Sequence, residues 1–204
     1  QHELNEGTFS DKLGRGSAYA AMGGAATGAL GGGLGTLDHS SQAQAATYVK
    51  PASGMKRLID TLNNKQLTEE DKKKIVRLEE NFYNWSSKPG NSGFNERDYR
   101  PMKENLDSIG KEMGIDDLTH KILFLSASGE MNIETLVFDL LMQYYMDMSI
   151  QISLVNDPMG RSFEQLSREE KHKLKLEARD SAWMRCNSLY HNLELISNPD
   201  TRTR

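Results

Sequence analysis

The sequence predicts an all-α protein, a bundle of five or six helices preceded by a Gly/Ala-rich N-terminal segment. Three observations carry that expectation. From Met55 onward apolar residues recur at steps of three and four. The breaks between these stripes hold helix-capping residues, glycine or proline. No stretch alternates apolar and polar residues with the period of two that a half-buried strand requires.

The chain has 204 residues, 37% of them apolar and 26% charged, which leaves room for one ordinary domain and a tail or for two small domains. Eight of the 17 glycines lie between Gly16 and Gly35, and large apolar residues are sparse before Met55. The apolar deficit therefore belongs to the N-terminal quarter. Residues 1–53 read as a Gly/Ala/Ser/Gln-rich leader and residues 54–204 as the helical domain. Because the chain starts at Gln1, it reads as processed, trimmed or a fragment.

Within the domain the elements follow in order. Met55, Leu58, Ile59 and Leu62 form a short stripe. Thr68 caps the next helix, and Glu69, Glu70 and Asp71 oppose its dipole in the first turn. Ile75, Leu78, Phe82 and Trp85 give that helix its apolar face. Ser86 to Arg97 is a loop with Pro89, Gly90 and Gly93. Pro101 is expected at the first position of the following helix, with Met102, Leu106, Ile109 and Met113 behind it and Gly114 at its end. Asp116 or Asp117 is expected to cap the helix carrying Leu118, Ile122, Leu123 and Leu125. Met131 to about Leu154 is the most apolar element, and its wide stripe suits the centre of a bundle. After the turn Asn156 to Gly160, Ser167 and Glu170 match a capping box. The last helix presents Leu176, Trp183, Cys186, Leu189, Tyr190, Leu193 and Ile196 and stops at Asn198–Pro199.

Several functions find no support in these residues. A net charge of −4 gives no general reason to bind nucleic acid, and the run Asp71 to Lys74, preceded by Glu69 and Glu70, reads as a solvated helix face. The glycine run lacks the preceding strand and the lysine of a phosphate loop, so no nucleotide or other cofactor is expected. Cys186 is the one cysteine, and the histidines show no i, i+4 pairing, so no metal site is expected. Cys186 and His191 stand about 140° apart around one helix and cannot act together as nucleophile and base. No catalytic residue is assigned, and the chain reads as a non-enzyme. An enzyme assembled from residues distant in sequence is the competing class.

The N-terminal segment admits three readings. Gly16, Ala20, Gly24, Gly28 and Gly32 lie four apart and would give a helix one small-residue face for close packing or membrane association. The uncharged run Gly16–Leu37 is 22 residues long, enough to span hydrocarbon. Against this, each glycine costs a helix about 1 kcal/mol relative to alanine, so in water a flexible tail is the expected state. Lys12 and Arg15, the uncharged run and Ala43-Gln44-Ala45 also outline a signal segment, with a middle section less hydrophobic than such segments usually have.

The candidate interaction residues are Gly24, Gly28 and Gly32 in the leader and Met142, Tyr145 and Met146 on the most apolar helix. Flexible Met-rich surfaces suit helix-in-groove contacts. A Gly-rich uncharged segment ahead of a Met-rich helical domain is similar in composition to secreted translocator and delivery proteins. That similarity implies a binding and assembly role, with a protein partner or further copies of the chain, in a secreted or virion-associated setting. The alternative is a membrane-active protein that inserts residues 16–37.

Overall fold

The computed structural model describes residues 53–203, and these contain six α-helices and no strand. The helices are α1 (Ser53–Asn64), α2 (Glu69–Ser86), α3 (Glu96–Glu112), α4 (Leu118–Ala127), α5 (Ile133–Val155) and α6 (Arg168–Ser197). Short 3₁₀ turns cover Phe163–Gln165 and Pro199–Thr203. The protein is all-α, as its periodicity predicts. Residues 1–52, including Gly24, Gly28 and Gly32, lie outside the described residues.

The described helices belong to two compact units. One comprises Arg57–Leu140 and Cys186–Arg204, and the other contains Leu141–Arg185. Helices α5 and α6 each pass from one unit into the other.

In the first unit α2, α3 and α4 pack against one another. Thr68 caps α2 by accepting from the Asp71 amide at 3.1 Å, and the Thr68 amide donates in return to the Asp71 carboxylate at the same distance. Helix α3 begins at Glu96 and not at Pro101. Asn95 and Asp98 form a capping box that fixes the start five residues earlier, and Pro101 sits exposed in the second turn, where it gives up one backbone hydrogen bond. The other end of α3 is a Schellman closure. The Ile115 amide donates to the Gly110 carbonyl at 2.8 Å and the Gly114 amide to the Lys111 carbonyl at 3.0 Å, with Gly114 left-handed at φ +79°.

Neither Asp116 nor Asp117 caps α4 with its side chain. Asp117 occupies the cap position in a left-handed conformation, φ 52°, and makes no capping bond. The carboxylate of Asp107, on α3, takes that role by accepting from the Thr119 amide at 2.9 Å. The cap is tertiary because α3 and α4 approach closely at Gly110. A methyl group there would stand 2.6 Å from Leu118 Cβ and 2.9 Å from the Ile115 carbonyl oxygen.

The C-terminal turn closes this unit. Arg202 donates to the carbonyls of Leu195 and Ile196 at 2.6 and 3.1 Å, satisfying the end of α6. Its guanidinium lies 5.9 Å from the Phe82 ring centre and 5.8 Å from that of Trp85, beside the cluster of Phe82, Tyr83, Phe94 and Tyr99.

In the second unit, Ser167 and Glu170 form the expected capping box at the start of α6. Arg161 ties it to the preceding turn, with its side chain 3.2 Å from Asp157 Oδ2 and 2.9 Å from Glu170 Oε2. Of the apolar residues that the periodicity of helix α6 selects, Cys186, Leu189, Leu193 and Ile196 are buried, but the two that lie in this unit are not. Leu176 and Trp183 are about half exposed, while Ala178 and Ala182 are buried. Alanine has no bulk beyond Cβ, so a face carrying it allows close approach and turns the larger side chains outward.

Two glycine substitutions test the α3–α4 contact. Gly110→Ala should lower unfolding free energy by about 1–3 kcal/mol despite alanine's better helix propensity, because the neighbouring atoms are Cβ and backbone. Gly93→Ala, which meets nothing within 4 Å, should stay within about 0.5 kcal/mol of the parent. Urea unfolding followed by circular dichroism measures both, and equal effects would contradict the contact.

Candidate functional site

The Met-rich stretch of α5 is largely interior. Tyr145 and Met146 are each 3% exposed, and Met142 is half-buried. Tyr145 meets Tyr144 edge-on at 5.4 Å, and the Arg185 guanidinium stands 5.5 Å from the Tyr145 ring centre. The same helix buries polar groups. Gln143 donates to Asp147 Oδ1 at 2.9 Å, Asp147 is fully buried, and Gln151 one turn on is 5% exposed. These residues build the interior of the 141–185 unit, and the apolar groups turned to solvent come from elsewhere in it.

Those groups are Val155, Met159, Leu176, Trp183 and Met184, with exposures from 45% to 75%. Val76 is the other large apolar side chain that is strongly exposed among the described residues. Leu176 and Trp183, seven residues apart, share one outward side of α6.

A second constellation escaped the sequence reading. In the unit built on α2, α3 and α4, Glu79 is 8% exposed and accepts from the Tyr99 hydroxyl at 2.5 Å. His120 places Nε2 3.2 Å from Glu79 Oε1 and 3.3 Å from Oε2. One carboxylate thus joins three helices. Burial alone would raise its pKa and is the largest single influence. The hydrogen bonds from His120 and Tyr99 and the nearby charges of His120 and Lys103 outweigh it together, and the pKa falls below the ordinary 4.5. Burial, then the adjacent Glu79 charge, pushes the Tyr99 phenol far above its ordinary value, and the same two causes push Tyr83 up to about 12. Tyr99 is fully buried and its hydroxyl is committed to Glu79, so this arrangement holds a charge inside the fold, with His120 as its partly exposed member.

Cys186 is fully buried, and burial pushes its thiol up to about 12, the opposite of nucleophile activation. Among the described residues no group of three His, Cys, Asp or Glu side chains could hold a metal ion, and no helix is long and apolar enough to cross a membrane. The run Gly16–Leu37 lies outside those residues. No protein-family model matches the chain, and no curated protein or solved structure does.

The Glu79 link has a pH signature. Its carboxyl pKa is lower in the folded state than in the unfolded one, so its contribution is complete above the unfolded value of about 4.5 and is lost as pH falls through the folded value. The urea midpoint should therefore drop on acidification below about pH 5, and Glu79→Gln should flatten that limb. An acid limb of the same slope in both proteins would contradict the assignment.

Proposed function

We propose that the protein is a non-enzymatic helical binding and assembly protein, which works by packing against further copies of itself or against a protein partner. The observation that carries this reading is the concentration of exposed large apolar side chains in the 141–185 unit. Fully burying a side chain of this size contributes about 1.5–3 kcal/mol over leaving it in water. Leu176 and Met184 on α6, with Val155 and Met159 just ahead of it in the chain, give a partner several such contacts. Exposed large apolar side chains concentrated in one unit are the raw material of an interaction site.

The composition of the leader supports the same reading, since a Gly-rich uncharged segment ahead of a Met-rich helical domain fits a component or cargo of a secretion or delivery system. The burial of Cys186 and the commitment of Tyr99 to Glu79 weigh against catalysis by either group.

Light scattering of the full chain tests the proposal. The parent should show concentration-dependent association that Leu176→Asp/Met184→Asp abolishes without changing the far-ultraviolet circular dichroism. A parent that stays monomeric up to about millimolar concentration, or association unchanged in the double variant, would count against assembly through this unit.

A further inference from the structure

A separate surface lies wholly within the unit built on α2, α3 and α4. Between α2 and α4 runs an open furrow of about 350 Å³. Its apolar lining comes from Ile75 and Leu78 on α2 and from Phe124 and Ala127 on α4, and Lys74 and Arg77 line it alongside them. Ile75 is fully buried beneath, Leu78 and Phe124 are half-exposed, and Ala127, Lys74 and Arg77 are exposed.

The charges around this furrow are uneven. Lys65 stands 4.7 Å from the Phe124 ring centre but is matched by Glu130 at 3.6 Å. Lys72, just ahead, is matched by Glu69 at 3.3 Å. Lys74 and Arg77 have no ion-pair partner among the described residues. They are three apart on one helix and therefore neighbours on its surface. The furrow thus offers a small apolar hollow beside two cations that form no ion pair among the described residues, with Glu70 and Glu80 within one helical turn of them.

We propose that this furrow docks an acidic peptide segment of a partner protein, which inserts one bulky apolar side chain between Leu78 and Phe124 and sets flanking carboxylates against Lys74 and Arg77. The volume, at the small end of the roughly 300–1,000 Å³ range of ligand pockets, is large enough to take a bulky anchor side chain. An apolar floor between two helices, lined by Ile75, Leu78 and Phe124, is the kind of surface used in the helix-in-groove mode of peptide recognition. Two cations at the rim add charge complementarity, which favours acidic over basic segments and raises the association rate. This surface is distinct from the exposed apolar groups of the 141–185 unit, so peptide binding and self-association are separately measurable.

Fluorescence polarisation tests the docking with a synthetic peptide of about twelve residues, one central Phe flanked by Asp and Glu, added to the full-length protein. The parent should bind it, and Lys74→Glu/Arg77→Glu should weaken binding about tenfold or more, with salt weakening the parent complex. Replacing the peptide's Phe by Ala, or Ala127 by Trp in the protein, should abolish binding. Both protein changes are at exposed positions, and light scattering of the same variants should show self-association unchanged. No binding by the parent, equal binding by the charge-reversed variant, or equal binding of a peptide with Lys in place of the acidic residues would overturn the proposal. So would a loss of self-association in the charge-reversed variant, which would assign the furrow to a second copy of the chain.

Discussion

A carboxylate placed inside a helical core loses its water, and it remains charged only where hydrogen-bond donors replace that water. Glu79 meets that condition with donors from two other helices, the Tyr99 hydroxyl on α3 and His120 on α4. Neither helix can shift without leaving the charge exposed to an apolar environment. The remaining features of this unit serve the same convergence. Gly110 lets α3 and α4 come within contact of backbone and Cβ atoms, and Asp107 reaches across that seam to cap α4. Removing one partner from a buried charged pair typically costs about 3–5 kcal/mol, more than an exposed ion pair contributes. The polar link therefore governs the arrangement more than the surface ion pairs do.

The parts of the fold legible in the sequence are those written locally. Thr68 with Asp71 and Ser167 with Glu170 each act over three residues, and the stripes they introduce have helical spacing. Gly114 ends α3 through a closure that spans six residues. Of the parts that were not legible, one is local, the Asn95–Asp98 capping box, and the others depend on distance along the chain. Asn95 and Asp98 outcompeted Pro101 as the start of α3 because two reciprocal side-chain bonds fix a terminus better than a preset φ does. Asp117 lost the capping role to Asp107, which is twelve residues from the amide it serves. Glu79 and His120 are 41 residues apart. One signal for the link was present, since Glu79 falls four residues after Ile75 and three before Phe82, on the apolar face of α2. A charged residue in that phase needs partners, but the sequence did not say which.

Helix α6 shows the complementary limit of periodicity. Large apolar residues mark Leu176 and Trp183 as the interior face, yet small Ala178 and Ala182 are the residues buried there. Leu176 and Met184 stay exposed, and that exposure is the observation on which the assembly proposal rests. The fold thus separates two kinds of chemistry. Buried polar groups such as Glu79 and Tyr99 fix how helices pack, and exposed apolar groups on α6 and beside α2 are where the proposed partners would dock.

The central claim is that Glu79 and Tyr99 act as a pair in holding α2 against α3. A double-mutant cycle on urea unfolding free energies at neutral pH, with Glu79→Met, Tyr99→Phe and both together, tests it most directly. Each single change strands a buried polar group, whereas the double change leaves none on either side of the bond, so the two effects should fall short of additivity by about 1–3 kcal/mol. Additivity to within about 0.3 kcal/mol would contradict the account.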